Sequence, residues 1–183
     1  MAASTFTIDP SSLTTCKDKV VLITGGSSGI GLATVQLIAS LSPSNKIIIL
    51  DRSPPPASLD VHPFRLHFHR CNITNWTEQR EGFSAGALRF GRIDAVFVNA
   101  GISEYEEQFF TDKLDEQGKL AEPDRRTLDI DIAAACDTVK LAIYHLRRNP
   151  DGGSIVMTAS LAGYLASAGA AMYSAAKHGK VTA

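Results

Sequence analysis

The sequence has few of the residues that build disulfide-rich, membrane-spanning or nucleic-acid-binding proteins. Its three cysteines are far apart and form no C-x-x-C pair, which fits neither a disulfide framework nor a zinc site. Lys plus Arg number 18 against 19 Asp plus Glu, so the net charge of −1 indicates no basic surface for nucleic acid or anionic membrane. The most apolar long stretch, 155–173, is rich in Ala, Gly and Ser, which is weak for a membrane span. We therefore expect no metal, nucleic acid or membrane partner.

Length and composition predict one globular domain. The chain has 183 residues, of which 44% are hydrophobic and 20% charged, enough apolar material for a core. Seven of the first fifteen residues are Ser or Thr, which predicts a flexible arm over 1–16 and a domain over 17–183. The first ten residues carry no Lys or Arg and lead into no apolar segment, so we expect a cytoplasmic protein.

Short β-branched runs alternate with helical patterns along the domain. Five runs predict strands: Val20 to Thr24, Lys46 to Asp51, Arg65 to Cys71, Ala95 to Val98 and Ser154 to Thr158. Helices are predicted over Ile30 to Ser40, Asn75 to Phe90, about Pro123 to Arg148, and from about Ala171. The alternation predicts an α/β fold with a doubly wound parallel sheet. The acidic stretch Ser103 to Glu122 is interpreted as a solvated loop.

A glycine-rich turn follows the first strand directly and opens a helix. Its sequence is Thr24-Gly-Gly-Ser-Ser-Gly-Ile-Gly31. Glycines let backbone N–H groups approach a pyrophosphate, whose charge a helix N-terminus favours, and a Cβ at Gly25 or Gly31 would stand in the way. By itself such a turn is weak evidence, because a plain tight turn has the same composition.

Asp51 ends the second strand, twenty residues after Gly31, where a carboxylate can accept hydrogen bonds from an adenosine ribose. A carboxylate there repels a 2′-phosphate, and no Lys or Arg lies between Gly26 and Gly29 to compensate. NAD is therefore favoured over NADP, although Arg52 could cover a phosphate. The alternative for Asp51 is a turn residue at a strand end.

Tyr173 and Lys177 are four residues apart at the start of the last helix, so both lie on one helix face. A free tyrosine titrates near pH 10, about three units too high for proton exchange at neutrality, and a neighbouring ammonium favours the phenolate. Ser160 stands thirteen residues earlier, at the end of the fifth strand, where a hydroxyl could hold a substrate oxygen.

Together these motifs resemble the short-chain dehydrogenases/reductases. The glycine turn is similar to the cofactor motif, Asn99-Ala100-Gly101 to the Asn-Ala-Gly motif, and Ser160 with Tyr173-Ser-Ala-Ala-Lys177 to the catalytic set. The resemblance covers 17–183. It implies a Rossmann-type domain with strand order 3-2-1-4-5 and a nicotinamide cofactor.

The resemblance implies a role for each matching position. Tyr173 would be the acid/base, Lys177 would assist it and bind the nicotinamide ribose, and Ser160 would orient the substrate oxygen. The residues expected to bind the cofactor are Thr24, Gly25, Ser27, Ser28, Gly29, Ile30, Gly31, Asp51, Asn72, Ile73, Asn99, Ala100, Gly101, Tyr173 and Lys177. Asn99 could equally be only a strand cap.

The chain departs from the family pattern in three places. Asn72 stands where an Asp is usual near the adenine, and its amide oxygen can still accept a hydrogen bond. Asp131 stands where the catalytic tetrad usually has Asn, a residue that acts partly through its main chain in holding a relay water. The chain also stops at Ala183, before the two last strands of the family, which leaves the fifth strand as an edge.

The expected function is interconversion of a secondary alcohol and a ketone, with NAD favoured over NADP and a homo-oligomer formed through the last helices or the sheet edge. Similarity of the Pro-rich and acidic insertions to fungal members suggests specialised metabolism. The alternative is a non-catalytic remnant that binds nucleotide or a partner chain. Because the chain ends at Ala183, we expect cofactor binding to survive better than turnover.

Overall fold

The computed structural model of the protein describes residues 10–182 and contains one five-stranded parallel sheet. The strands are β1 (Val20–Thr24), β2 (Lys46–Asp51), β3 (Leu66–Arg70), β4 (Ala95–Val98) and β5 (Ser154–Met157). Their order is 3-2-1-4-5, and each pair of neighbours is parallel. The predicted fold class and strand order are confirmed.

The helices lie on both faces of the sheet. They are α1 (Gly29–Leu41), α2 (Trp76–Phe90), α3 (Arg126–Leu128), α4 (Ala134–Leu146) and α5 (Ala171–Thr182). The sequence predicts one continuous helix from about Pro123 to Arg148, but a π-helical turn, Asp129–Ala133, separates α3 from α4. This turn holds Asp131 fully buried, with its carboxylate accepting a hydrogen bond from the Ile102 N–H at 2.7 Å. The spacing of apolar residues does not predict this turn, because a single side-chain contact does not change that spacing.

The core consists of two apolar layers that share the sheet. All five residues of β1 are buried, as expected for a central parallel strand with helices on both faces. One layer packs β1, β2 and β4 against α2 and α4, with Phe83 at its centre, and the other packs Val21, Ile23, Ile47 and Ile49 against Val35 of α1. These layers hold the carboxyl ends of the strands in fixed positions, and the candidate site lies there.

Three short 3-10 segments connect or precede the main elements: Pro10–Cys16, Pro63–Arg65 and Leu161–Gly163. The first lies within the arm predicted over 1–16, and the Asn45 side-chain amide donates to the Cys16 carbonyl at 2.8 Å. Residues 1–9 lie outside the described residues. The flexibility of the arm stays a prediction.

The far edge of the sheet is formed by β5. Between residues 10 and 182, β5 pairs only with β4, and Val156 is 56% exposed. Over the same residues, none of the helices has the length and apolarity that crossing a membrane requires.

Candidate active site

The turn between β1 and α1 is packed so tightly that only glycine fits at two positions. A Cβ on Gly31 would lie 2.0 Å from the Gly25 carbonyl oxygen, and one on Gly25 would lie 3.0 Å from the Ala100 Cα. Gly25 also has a φ of +67°, which L-residues rarely adopt. Both glycines are therefore needed for the close approach of this turn to the end of β4.

Asn99 and Thr24 join the ends of three strands. The Asn99 side-chain amide donates to the Thr24 and Gly25 carbonyls at 3.2 and 3.3 Å, and its oxygen accepts from Thr158 Oγ1 at 3.0 Å. Thr24 Oγ1 in turn accepts from the Asn99 and Ala100 N–H groups at 3.0 and 3.2 Å. Thr24 is completely buried, so in this structure it braces the turn rather than lining open space.

A cavity of about 470 Å³ runs across the carboxyl ends of the strands. It begins at the N-terminus of α1, passes Asp51 at the end of β2, and reaches Tyr173 and Lys177 on α5. Twelve of the predicted site residues line it: Gly25, Ser28, Gly29, Ile30, Asp51, Asn72, Ile73, Asn99, Ala100, Gly101, Tyr173 and Lys177. These twelve residues come from five separate segments of the chain and meet around one space.

The first turn of α1 presents uncapped N–H groups to this cavity. Ser28 is the N-cap, but its side chain makes no capping hydrogen bond within residues 10–182, and the first turn of α1 carries no acidic residue. A Cβ on Gly29 would meet no atom within 4 Å, so open space lies beside the turn. Free N–H groups and the positive end of the helix dipole favour an anion here.

Asp51 faces the glycine turn. Its Oδ2 accepts from the Ser27 N–H at 3.0 Å, and its Oδ1 accepts from the Ser53 N–H at 3.1 Å. The carboxylate is therefore held in place by two backbone donors while it lines the cavity. Arg52 follows it and lines the same cavity from the exposed surface.

The β3 end contributes a polar and an apolar side to the cavity. Asn72 Oδ1 accepts from the N–H and hydroxyl of Thr74 at 3.2 and 3.0 Å, which fixes the turn before α2. Ile73 beside it is 8% exposed.

Cys71 also lines the cavity, and burial, with the charges of Glu78 and Asp51, raises the pKa of its thiol to about 12. The thiol is thus neutral, which excludes it as a nucleophile at physiological pH.

At the opposite end of the cavity, α5 presents Tyr173 and Lys177 on one face. The Lys177 ammonium lies 5.1 Å from the centre of the Tyr173 ring and 3.5 Å from the Thr158 carbonyl oxygen. The Tyr173 N–H, in the first turn of α5, donates to Glu104 Oε2 at 3.0 Å. Lys177 is 4% exposed, so its charge acts where little water screens it.

Asp131 provides the negative charge beside Lys177. Its Oδ2 lies 2.8 Å from Lys177 Nζ, an ion pair without the alignment of a hydrogen bond. Where a tetrad asparagine is usual, this chain therefore places a carboxylate in direct contact with the active-site lysine.

Four of the predicted site residues do not line the cavity: Thr24, Ser27, Gly31 and Ser160. Thr24 and Gly31 pack against the turn, and Ser27 lies within it, with its hydroxyl donating to the Ser53 carbonyl at 2.7 Å. Ser160 caps the 3-10 segment Leu161–Gly163, where its Oγ accepts from the Ala162 N–H at 3.2 Å. Its predicted contact with a substrate oxygen stays a prediction.

Sequence reasoning missed Glu104 as a neighbour of the site. The stretch Ser103 to Glu122 was expected to be solvated, but Glu104 is partly buried, with one oxygen on the Tyr173 N–H and the other shielded from solvent. The remaining unpredicted lining residues include Leu50, Ile102, Ser103, Ile130 and Thr158. Of these five, Ile102 and Thr158 lie one to four residues after a strand end, which is a signal that the sequence offered.

A nicotinamide dinucleotide fits the donor set of this cavity. The glycine turn and the uncapped first turn of α1 suit a pyrophosphate, and Asp51 suits a ribose diol. The cavity continues from there to the ammonium and phenol of α5. These features define the fold and site of a dinucleotide-binding α/β protein.

Comparison with known proteins assigns the family. A family model described as short chain dehydrogenase matches residues 19–182, and this chain belongs to that family. It is 41% identical over 177 residues to Short-chain dehydrogenase/reductase ascJ of Acremonium egyptiacum, covering 95% of this chain and 58% of that protein. It is 38% identical over 163 residues to Short-chain dehydrogenase/reductase prx4 of Penicillium rubens, covering 89% of this chain and 47% of that protein. The chain spans about half the length of these relatives.

Solved structures share the fold. Levodione reductase superposes with a TM-score of 0.72 at 27% identity, over 90% of this chain and 63% of the other. A short-chain dehydrogenase/reductase (glucose/ribitol dehydrogenase) from Brucella melitensis superposes with a TM-score of 0.74 at 25% identity, over 90% of this chain and 66% of the other.

Proposed function

We propose that this chain carries the cofactor-binding and acid/base residues of an oxidoreductase that interconverts a secondary alcohol and a ketone, with NAD favoured over NADP. The observation that carries the proposal is the single cavity that joins the N-terminus of α1 and Asp51 to Tyr173 and Lys177. A role in specialised metabolism is part of this proposal and rests on the similarity of the Pro-rich and acidic insertions to fungal members of the family.

Nicotinamide supplies the hydride when bound, and the residues of this chain handle the proton. In the reductive direction, the Tyr173 hydroxyl would give its proton to the carbonyl oxygen as the carbonyl carbon receives that hydride, which would leave the alcohol and a phenolate. Lys177 lies beside the ring and stabilises that phenolate electrostatically. Solvent then returns a proton to Tyr173.

Preference for NAD is proposed from the position of Asp51. Two backbone N–H groups hold its carboxylate at the cavity, so a 2′-phosphate would be placed next to a fixed negative charge. We expect NADH to bind at least tenfold more tightly than NADPH, a difference of about 1.4 kcal/mol. NADH and NADPH titrations followed by cofactor fluorescence test this, and equal or reversed affinities would overturn it.

Tyr173→Phe tests the proposed chemistry. Loss of the hydroxyl removes the transferable proton but leaves the ring and Lys177, so NADH binding should be retained while turnover falls by about 100-fold or more. Tyr164→Phe is the matched control, because Tyr164 is 69% exposed and directly follows the 3-10 segment Leu161–Gly163. Normal turnover by Tyr173→Phe would assign the acid/base role to another residue.

A non-catalytic nucleotide-binding protein is the second candidate. It is favoured by Ser160, whose Oγ is engaged with the Ala162 N–H and does not line the cavity. NADH binding without turnover on any ketone, unchanged by Tyr173→Phe, would support this candidate.

A further inference from the structure

The residues at the start of α5 offer little to the N–H groups of its first turn. Ala170, the residue before the helix, has no side-chain acceptor, and the first turn contains no acidic residue. The first four N–H groups of an α-helix have no carbonyl partner within the helix. Tyr173 is the third residue of α5, so its N–H is one of these groups. An acceptor for it has to come from another part of the chain.

Glu104 supplies this acceptor from a distant segment. Its Oε2 accepts from the Tyr173 N–H at 3.0 Å, across 69 residues of sequence. The positive end of the helix dipole favours a carboxylate at this position. The other oxygen, Oε1, is shielded from solvent and has no hydrogen-bond partner among residues 10–182. Shielding a carboxylate oxygen from water costs free energy, which distinguishes Glu104 from a solvated residue of an acidic loop.

The segment that carries Glu104 is held on both sides of it. Two residues earlier, the Ile102 N–H donates to Asp131 Oδ1 at 2.7 Å. Three residues later, Glu107 lies beside the approach to α5, where a Cβ on Gly169 would be 3.8 Å from Glu107 Cγ. The segment after β4 is therefore anchored on the π-helical turn and contacts the start of α5 at two points.

The Tyr173 side chain depends on its own backbone for its position. Among residues 10–182, no group forms a hydrogen bond with its hydroxyl, so packing and the helix start orient the ring. Lys177, whose ammonium lies 5.1 Å from the ring centre, is held separately by Asp131 at 2.8 Å. Release of the Tyr173 N–H would therefore move the phenol while Lys177 stays in place.

We propose that Glu104 is a positioning residue, which fixes the Tyr173 phenol by holding the backbone N–H of that tyrosine. The inference rests on the proposed acid/base role of Tyr173. Glu104 does not line the cavity, so it acts through Tyr173 rather than on cofactor or substrate. Proton transfer requires the phenol oxygen within hydrogen-bond reach of the substrate oxygen, and a displacement of about 1 Å can reduce the rate about 100-fold.

Two substitutions, Glu104→Met and Glu104→Gln, test the proposal by NMR. Methionine keeps the side-chain length without a carboxylate, whereas glutamine keeps an acceptor oxygen in nearly the same shape. Hydrogen exchange of the Tyr173 amide should become about tenfold faster or more in Glu104→Met, because a hydrogen bond to a charged group is lost. Exchange in Glu104→Gln should stay near that of the wild type. Glu116→Met, at an exposed position of the same acidic stretch, is the matched control.

The position of the phenol is measured by nuclear Overhauser contacts between the Tyr173 ring protons and the Lys177 methylene protons. These contacts should be retained in Glu104→Gln and weakened in Glu104→Met. A general loss of stability would instead speed amide exchange along the whole of α5. With any ketone that the wild type reduces, kcat should fall about tenfold or more in Glu104→Met while the Kd for NADH is unchanged. An unchanged kcat would count against the proposal.

Three NMR results would overturn the inference: unchanged Tyr173 exchange in Glu104→Met, unchanged ring contacts with Lys177 in that variant, or a Glu104→Gln variant that behaves like Glu104→Met. Circular dichroism reports whether each variant folds. Turnover by Tyr173→Phe at the wild-type rate would contradict the proposed function instead. The NMR measurements would still decide whether Glu104 holds Tyr173.

Discussion

Lys180→Met should stabilise this protein at neutral pH, because it removes a buried ammonium that is 4% exposed and has no hydrogen-bond partner in the part of the chain that the structure describes. Burial lowers the pKa of Lys180 from its usual 10.5 to about 8. Each unit corresponds to roughly 1.4 kcal/mol, so holding the protonated lysine in the folded state costs about 3 kcal/mol below pH 8. Methionine has similar length and no desolvation cost, and the Asp131–Lys177 ion pair remains.

The pH dependence of this effect has a definite sign. Between about pH 8 and 10.5 the unfolded chain keeps the Lys180 proton that the folded protein has lost, so wild-type stability rises with pH relative to the variant. The full advantage of Lys180→Met is thus present below pH 8 and disappears as the pH rises through the titration of the unfolded lysine.

Urea unfolding followed by circular dichroism at pH 7 and pH 10 measures the difference. About 3 kcal/mol corresponds to a midpoint shift of roughly 1–3 M urea at pH 7, and the shift should be much smaller at pH 10. Lys140→Met, at an exposed lysine, should change neither midpoint by more than a few tenths of a molar. An equal midpoint for Lys180→Met and wild type at pH 7, or a shift that does not shrink with pH, would refute the reasoning.

Three further predictions concern the glycine turn, Asp51 and the buried side chain of Gln79. Gly31→Ala should abolish NADH binding in fluorescence titrations, because its Cβ would lie 2.0 Å from the Gly25 oxygen. Gly29→Ala should bind NADH more weakly without losing binding, because its Cβ would meet no atom within 4 Å but its φ is +49°. Asp51→Ala should reduce the difference in binding affinity between NADH and NADPH, mainly by weakening the binding of NADH. A larger difference would contradict the ribose contact. Gln79→Leu should lower the free energy of unfolding by about 2–3 kcal/mol in urea titrations, because the buried amide donates to the Ile73 and Ala134 carbonyls. Gln117→Leu, at an exposed position, is its control.

Much of the fold was predictable because it rests on local pattern. Three strands, Val20–Thr24, Lys46–Asp51 and Ala95–Val98, have the boundaries that their β-branched runs predict. These strands are buried, so their apolar residues form continuous runs that end sharply at turn residues. The glycine turn was also predictable from the sequence, because the close approach of neighbouring backbone favours glycine at positions 25 and 31.

Side-chain partnerships were decided only by tertiary structure. Periodicity could place Tyr173, Lys177 and Lys180 on one face of α5, since that follows from helix geometry. It could not place Asp131 against Lys177, because a π-helical turn positions that carboxylate and the five residues of the turn do not predict it from local sequence. Likewise Glu104 looked like one of many acidic loop residues until packing brought it to the Tyr173 N–H. Sequence alone determined the order of the strands and helices and the residue types at the strand ends. The burial that strengthens the interactions between charges exists only once distant segments pack together.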